Sequence, residues 1–411
     1  MDSKIESWKD YAGIYPGLRT LASLEEKNVI DFRPYQGLAL LAFLLYERGV
    51  IRSATGSGKT LIAASITGAL NAPTLGVIHG TALLNQTYDA FKLYLGQPIG
   101  LIQEKTWDLQ QVTLASVDTL RVHFLARNPK LIPYLESVRF LFFDETHHAS
   151  ADTWQQIATR CPAPYRLGMS GTPFKDSEYE DSKLVSVCGP MICDVSTSKL
   201  QQLGYISEAR LVTHQLRFPR EEVYGLKKMK AQQLRWQDAQ RYMVVDNPRV
   251  HAFVGKLVQD ILAGSKDQML VLTGNSVDLG QHIFDLIPNY WKRDGKVLFV
   301  SGRMSSKTVN KAFDRLRSGS ARCVIATKLA DEGIDLPSVN LLVLVGGGKS
   351  PIQTIQRVGR GLRRKGEGSV LTVHDLCITG NKYLERHNKK RLEIYQQEEL
   401  FLDIEDREVY C

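Results

Sequence analysis

The stretch SATGSGKT at residues 53–60, followed by the apolar run LIAAS at 61–65, predicts a glycine-rich turn that leads into a helix. Gly56 and Gly58 carry no side chain that would keep backbone N–H groups away from a phosphate. The N-terminus of the following helix adds a favourable dipole for an anion. Lys59 would reach the β- and γ-phosphates, and the Thr60 hydroxyl would ligate Mg²⁺. The predicted ATP-binding residues of this loop are Thr55, Gly56, Ser57, Gly58, Lys59 and Thr60.

The phosphate-loop pattern has glycine six residues before the lysine, and this chain has Ser53 there. A Gly-Ser-Gly-Lys-Thr run also occurs as an ordinary glycine turn. The loop alone therefore leaves both readings open, and a second element of a nucleotide site is needed to choose between them.

Such an element follows at residues 140–148, which read FLFFDETHH. A hydrophobic strand ends here in two adjacent carboxylates, at the edge of a parallel sheet where ligands bind. Asp144 can hold Mg²⁺, and Glu145 can orient and deprotonate the attacking water. The alternative is a loop with two solvated acids, which Lys59 upstream disfavours. A metal site at His147 and His148 is not expected, because no further ligand is evident.

Residues 356–364 read QRVGRGLRR, with four arginines in nine residues. A solvated helix face is one explanation, but two glycines make an ordinary surface helix poor here. Planar guanidinium groups match phosphate oxygens in bidentate geometry. An arginine finger on a transferring phosphoryl group is worth about 10³–10⁵ in rate. This segment therefore predicts arginines that complete a hydrolysis site.

The composition sets broad limits on the class of protein. The 411 residues suggest two or three domains, and 43% hydrophobic with 23% charged residues is ordinary for a folded protein. The formal net charge of +8 suits a polyanionic partner. Six scattered cysteines lack the spacing of a structural zinc site and are expected to be reduced thiols. No signal peptide or membrane-spanning run is evident, so a cytoplasmic, nucleoid-associated protein is expected.

Short apolar runs alternate with helix-like stretches along the chain, as expected for an α/β fold with parallel sheets. The runs form one set between about residues 30 and 200 and another between about 247 and 380. Residues 218–250 between them are polar, and a linker, a helical insert and a nucleic-acid-binding element are all open there. The segment after about residue 380 begins basic and ends acidic, which is typical of a solvated helix.

Six motifs occur in a fixed order: FRPYQ (32–36), SATGSGKT (53–60), DETHH (144–148), SGTP (170–173), ATKLADEGIDLP (326–337) and QRVGRGLRR (356–364). In this order they resemble superfamily 2 helicases of the DExH type, and in particular phage UvsW-type and XPB-like DNA helicases. The run at 196–211 resembles that group as well. The resemblance covers about residues 30–380 and implies two tandem RecA-like parallel-sheet domains, each a P-loop NTPase fold, with a cleft between them. The implied division is a short segment at 1–30, domain 1 at 31–205, a linker or helical insert at 206–246, domain 2 at 247–380 and a charged tail at 381–411.

The resemblance also implies roles at matching positions. Gln36 corresponds to the adenine-reading glutamine, with Arg33 beside it, and residues 79–86 correspond to the first strand-tracking motif. Gly333 and Asp335 would lie against nucleotide, and Gln356, Arg360 and Arg363 would act in hydrolysis, the two arginines as fingers. His147, Ser170 and Thr172 would couple the ATP site to nucleic acid, which Ser116 and Thr327 would contact through backbone phosphates.

The function that the resemblance implies is an ATP- and Mg²⁺-dependent DNA helicase or translocase with 3′→5′ polarity. Its substrate would be single-stranded, forked or junction DNA, remodelled by branch migration, fork regression or unwinding in recombination, replication or repair. A monomer is expected, with single-strand-binding or recombination proteins as candidate partners and a phage as a candidate source. Two alternatives stay open: an RNA helicase and a non-enzymatic nucleic-acid-binding protein.

UvsW-type proteins carry an N-terminal DNA-binding domain before this core, whereas about 30 residues precede FRPYQ in this sequence. Structure-specific recognition is therefore expected from residues 200–250, from the tail, from the core itself or from a partner.

Overall fold

The strands of this protein form two sheets, each in its own unit, in a computed structural model. The structure describes residues 14–54, 56–146, 152–174, 177–217, 234–274, 276–327, 339–345, 370–397, 400–401 and 403–410. The units are Met1–Ser196 and Thr197–Cys411.

The strands are β1 Arg48–Ser53, β2 Thr74–Ile78, β3 Ile99–Gln103, β4 Thr106–Asp108, β5 Val112–Ser116, β6 Phe140–Asp144, β7 Tyr165–Ser170, β8 Met191–Val195, β9 Glu208–Arg217, β10 Met269–Leu272, β11 Val297–Val300, β12 Cys323–Ala326, β13 Leu341–Leu344, β14 Val370–Ile378 and β15 Asp403–Tyr410.

The helices are α1 Arg19–Glu26, α2 Pro34–Tyr46, α3 Lys59–Leu70, α4 Thr81–Leu95, α5 Val117–Leu125, α6 Leu131–Ser137, α7 Asp152–Arg160, α8 Glu178–Cys188, α9 Thr197–Gln202, α10 Trp236–Gln240, α11 Pro248–Gly264, α12 Val277–Leu286, α13 Asn289–Arg293, α14 Ser306–Arg317 and α15 Lys382–Gln397. A 3₁₀ turn at Pro16–Leu18 precedes α1, and a π-helical turn at Arg241–Val245 follows α10.

The sheet of the first unit has the order β4-β3-β5-β2-β6-β7-β1-β8, and its pairs are parallel except the antiparallel pair of β3 and β4. Its central strands are buried throughout, which explains why they appear as continuous apolar runs. Phe140 and Phe142 pack into a core on one face, whereas Leu141 and Phe143 pack into a core on the other. The sheet is therefore covered on both faces by helices.

This strand order brings the ends of three strands together. Strand β7 lies between β6 and β1, with Asp144 paired to Met169 and Arg52 paired to Ser170. Because all three strands are parallel, the segments that follow their carboxyl ends emerge at the same edge of the sheet. Those segments are the glycine loop, the DET sequence and the SGT sequence.

The sheet of the second unit is parallel, in the order β11-β12-β10-β13-β14-β9-β15. Two of its strands lie in segments that the sequence predicts as a linker and a charged tail. Strand β9 lies inside the predicted linker at 206–246 and pairs with β14 over its length. The predicted tail at 381–411 supplies α15 and the edge strand β15. Strand β9, helix α15 and strand β15 therefore belong to the second unit.

The polar interior of the second unit fixes α15 on the sheet. Arg391 donates from Nε and Nη2 to the two carboxylate oxygens of Asp375 at 3.0 and 3.1 Å, and both side chains are buried. The Tyr395 hydroxyl donates to the same carboxylate at 3.0 Å. The carboxylate raises the pKa of Arg391 although burial acts in the opposite direction, so the guanidinium stays charged.

Within the described ranges, no helix is long and apolar enough to cross a membrane. The cysteines that the structure describes, Cys161, Cys188, Cys193, Cys323 and Cys377, are free thiols.

Candidate nucleotide and catalytic site

The glycine loop joins the end of β1 to the start of α3 in a conformation that requires glycine. Gly56 and Gly58 have φ angles of 86° and 80°, in the left-handed region. A Cβ atom at Gly58 would lie 2.4 Å from Nε2 of Gln36. A side chain at Gly58 is therefore excluded by conformation and by space. The loop leads into a helix as predicted, and this helix, α3, begins at Lys59.

Ser53, which departs from the general phosphate-loop pattern, has a partner in the loop. Its hydroxyl lies 2.5 Å from the Ser57 hydroxyl, and both serines are fully buried. The Ser57 N–H also donates to the carbonyl of Ala54 at 3.1 Å. The serine therefore closes the loop across its base, which explains how the chain accommodates the departure.

The FRPYQ segment holds the loop from the outside through three side chains. Gln36 Nε2 and the Tyr35 hydroxyl both donate to the carbonyl of Ser57, at 2.8 and 2.7 Å. Arg33 Nη1 donates to the carbonyl of Gly56 at 3.2 Å. With these carbonyls turned toward the FRPYQ segment, the loop can direct its N–H groups at a phosphate.

Gln36 is 2% exposed, and its Oε1 accepts the backbone N–H of Arg33 at 2.9 Å. Its amide is thus engaged with the protein at both ends, and adenine recognition by Gln36 and Arg33 stays a prediction. Sequence reasoning missed Tyr35, whose hydroxyl contacts the loop 22 residues away. One signal could have identified it. Packing alone would accept an apolar side chain at this position of the motif, so the hydroxyl of Tyr35 indicates a hydrogen bond.

Lys59 and Glu145 meet at this edge of the sheet. Lys59 Nζ lies 2.9 Å from Oε1 of Glu145, and both side chains are mostly buried. Ser170, at the end of the intervening strand β7, donates its hydroxyl to Oε2 of Glu145 at 3.3 Å and accepts the N–H of Thr172 at 3.2 Å. The structure therefore brings together the predicted phosphate lysine, the predicted base and two predicted coupling residues.

The backbone at Glu145 is strained. Its φ is 57°, a left-handed conformation that costs a non-glycine residue free energy and is frequent at functional sites. The N–H of Glu145 donates to Oδ1 of Asp144 at 3.0 Å, and Asp144 is 6% exposed. The strained backbone therefore marks this turn as a candidate functional position.

The chemistry of this arrangement suits a nucleotide with Mg²⁺. The Thr60 hydroxyl and the Asp144 carboxylate are hard oxygen ligands of the kind that Mg²⁺ prefers. Thr60 lies in the segment after β1, and Asp144 is the last residue of β6, at the same edge of the sheet. Lys59 offers a compact positive charge for a phosphate. Glu145 offers a carboxylate held by Ser170, with the geometry of a base and its orienting group.

Ser116 and Thr327, predicted to contact nucleic acid, are buried at strand ends. The Ser116 hydroxyl caps α5 by accepting the N–H of Thr119 at 3.5 Å. The Thr327 hydroxyl, which follows β12, accepts the N–H of Gly302 at 3.3 Å. Their contact with nucleic acid stays a prediction.

Several predicted residues lie outside the described residues: Thr55, His147, Gly333, Asp335, Gln356, Arg360 and Arg363.

Comparison with known proteins gives two family matches. Residues 29–175 match the type III restriction enzyme, res subunit, and residues 254–365 match the helicase conserved C-terminal domain. The glycine loop, the DET sequence and the SGT sequence all fall within the first range. The arginine-rich motif falls within the second.

Two curated relatives and one solved structure extend these matches. The chain is 24% identical over 367 residues to the DNA 3′-5′ translocase XPB2 of Sulfurisphaera tokodaii, covering 84% of this chain and 81% of that protein. It is 25% identical over 369 residues to the ATP-dependent DNA helicase uvsW of Enterobacteria phage T4, and the match covers 87% of this chain and 70% of that protein. The S. cerevisiae Dbp5 structure bound to RNA and ADP BeF3 matches with a TM-score of 0.59 at 16% identity. This match covers 95% of this chain and 93% of the Dbp5 chain. The structural likeness shows the fold, two tandem RecA-like domains.

Proposed function

Because the chain belongs to the superfamily 2 helicases, with both conserved domains in order, we propose that it is an ATP-driven translocase that moves on DNA. The observation that carries the proposal is the contact of Lys59, Glu145 and Ser170. A phosphate lysine, a carboxylate base and a hydroxyl from the coupling motif form one hydrogen-bonded chain. This arrangement supports hydrolysis that is linked to a neighbouring element, as a motor requires.

The ion pair between Lys59 and Glu145 gives ATP binding a defined consequence. The γ-phosphate is a competing anion for Lys59, so its arrival draws the ammonium away from Oε1 of Glu145. The carboxylate is then available to orient and deprotonate water, while Ser170 still holds Oε2. Glu145 is therefore kept from acting as a base until nucleotide is present.

Mg²⁺, when bound with ATP, would neutralise charge on the transferring phosphoryl group. Thr60 and Asp144 would hold it. Arg360 and Arg363 are our candidates for the arginine fingers, by their match to the family motif.

The substrate proposal rests on the relatives and on charge. Two curated relatives are named as DNA enzymes, one of them a 3′-5′ translocase. The net charge of +8 favours a phosphate backbone as the track. We propose 3′→5′ movement by a monomer inside the cell, with remodelling of forks and junctions in recombination, replication or repair as the outcome.

ATP hydrolysis across a panel of nucleic acids tests this proposal. The panel contains no nucleic acid, single-stranded DNA, duplex DNA, a fork, a four-way junction and single-stranded RNA, all at one stated salt concentration. We expect DNA to stimulate hydrolysis more than RNA, with the fork and junction strongest. Stimulation chiefly by RNA would mean that RNA, not DNA, is the substrate. The absence of hydrolysis with every member of the panel would refute the proposal that the protein is an ATP-driven motor.

A further inference from the structure

Helix α15 exposes cations along the side that faces away from the sheet. Its first nine residues carry Lys382, Arg386, Lys389 and Lys390, all exposed. At 3.6 residues per turn these four positions fall within an arc of about 100° and span about 12 Å of the helix axis. We call these four side chains the α15 basic face.

The fifth cation of this segment, Arg391, points the opposite way and locks the helix. Besides its two bonds to Asp375, Arg391 Nη2 donates to the carbonyl of Leu376 at 3.2 Å. Asn388 donates to the carbonyl of Ile378 at 2.9 Å. The rotation of α15 about its axis is thereby fixed, so the basic face has a defined direction.

The N-terminus of α15 is fixed as well. The Asn381 side chain accepts the N–H groups of Tyr383 and Leu384 at 3.0 and 3.4 Å and donates to the carbonyl of Leu234 at 3.2 Å. The Lys382 and Arg386 groups lie over the ring of Tyr383, at 5.1 and 6.0 Å from its centroid. Lys382 and Arg386 are therefore partly ordered before any ligand arrives, which lowers the entropy cost of binding.

Acidic neighbours neutralise this face only in part. Within the described ranges, Lys389 has an ion pair, at 3.9 Å to Glu393, whereas Lys382, Arg386 and Lys390 have none. The buried contact of Trp236 with His387 places α10, with exposed Arg235 at its N-cap, along the same helix. Arg235 is thus a further exposed cation, on a helix that packs against α15.

We infer that the α15 basic face binds the phosphate backbone of duplex DNA, as a contact additional to the helicase motifs. A line of cations about 12 Å long suits a ligand with regularly repeated charge. Duplex DNA carries one negative charge per about 1.7 Å of axis, twice the density of one strand. Lysine and arginine on such a face contact phosphates without reading bases, so the contact is independent of sequence. The inference rests on the proposed function only in taking DNA as the substrate.

The test is the salt dependence of DNA binding, measured without ATP for duplex and single-stranded DNA. The variant Lys382→Gln/Arg386→Gln/Lys390→Gln removes three exposed charges and leaves Arg391 in place. We expect the slope of log K against log salt for duplex to become shallower by about 3. At 0.1 M salt we expect Kd for duplex to rise about 10- to 100-fold, with a smaller change for single strands.

A matched control separates a local contact from a change in overall charge. Lys92→Gln/Lys130→Gln/Lys256→Gln removes three exposed lysines from other parts of the chain and changes the net charge equally. We expect this control to keep the wild-type slope and both variants to keep the wild-type melting temperature. An unchanged slope in the α15 variant, or an equal change in the control, would overturn the inference.

Failure of the inference and failure of the proposed function give different results. If the wild type shows DNA-stimulated hydrolysis while the α15 variant binds duplex like the wild type, only the inference falls. If the wild type hydrolyses no ATP with any nucleic acid, the proposed motor falls, whereas the salt slopes still test the α15 basic face.

Discussion

The ammonium of Lys59 and the carboxylate of Glu145 form a 2.9 Å ion pair, although 86 residues separate them along the chain. Lys59 begins α3, and Glu145 follows β6. The pair spans the carboxyl end of β7, where Ser170 holds the second carboxylate oxygen. Substitutions at these three positions should therefore affect distinct steps of ATP turnover.

Glu145→Gln should bind ATP but hydrolyse it about 10²–10⁴-fold more slowly, because the amide cannot accept a proton from water. Lys59→Ala should weaken ATP binding as well as turnover, because the phosphate loses its ammonium partner. Equilibrium binding of a fluorescent ATP analogue and single-turnover hydrolysis separate the two effects. Normal hydrolysis by Glu145→Gln would show that the base is another residue.

Ser170→Ala should lower kcat for ATP about 3- to 10-fold with little change in KM. The loss of one hydrogen bond, worth about 0.5–1.5 kcal/mol, leaves Glu145 less well oriented, while the phosphate contacts stay intact. Ser170→Thr keeps the hydroxyl and should restore most of the rate. If alanine and threonine reduce kcat equally, packing rather than the hydrogen bond explains the effect.

The central strands of both sheets could be predicted because each is a continuous apolar run buried on two faces, as at Phe140–Asp144. Strands β9 and β15 could not. Strand β15 is exposed along almost all of its length and consists mainly of charged residues. Charges are common on edge strands, where they prevent further pairing, but locally the same pattern indicates a solvated helix.

The candidate site, like the fold, could be predicted only where local sequence patterns mark its residues. Lys59, Asp144 and Glu145 stand at positions that local patterns mark, since each lies at or after the end of an apolar strand. The contacts of Arg33 and Tyr35 with the glycine loop join segments more than 20 residues apart, and nothing in the local pattern sets that geometry.

Tyr35→Phe should raise KM for ATP about 3- to 10-fold. The substitution removes one of the two hydrogen bonds to the Ser57 carbonyl, worth about 0.5–1.5 kcal/mol, and leaves the bond from Gln36. The loop then holds its phosphate-binding conformation less firmly. Tyr290→Phe, at a position 61% exposed, is the matched control and should behave as wild type. An unchanged KM in Tyr35→Phe would mean that Gln36 suffices to position the loop.

Asp375→Asn should destabilise the second unit by about 3–5 kcal/mol, because it leaves the buried Arg391 charge without its counter-ion. Chemical denaturation measures the loss of stability, and hydrogen exchange shows whether the loss is located in β14 and α15. The double variant Asp375→Asn/Arg391→Met removes the orphaned charge and should recover part of the stability. A double variant no more stable than the single would show that the charge is not the cause.

The second sheet should lose stability in mild acid because of two histidines. Nε2 of His214, in β9, lies 2.9 Å from Nδ1 of His374, in β14. Both rings are buried, and the His214 ring contacts helix α11, which covers the strands. Burial lowers the pKa of each to about 4, and the nearby Arg407 adds to the shift while Glu405 opposes it. The folded protein therefore keeps the pair neutral at pH values where free imidazole is protonated.

The sign of the effect follows from proton uptake. Unfolded histidines have the ordinary pKa of 6.5, so between pH 6.5 and about 4 the unfolded state binds more protons than the folded state. The free energy of unfolding should have its full value above pH 6.5 and should fall as the pH decreases below that value. The slope should correspond to the uptake of about one to two more protons by the unfolded state than by the folded state. Hydrogen exchange of β9 and β14 between pH 7 and 5 avoids most carboxylate titration. The variant His214→Gln/His374→Asn keeps polar atoms near the bonded nitrogens without titrating, and should show a flatter slope. An identical slope in this variant would assign the acid sensitivity of the sheet to other groups.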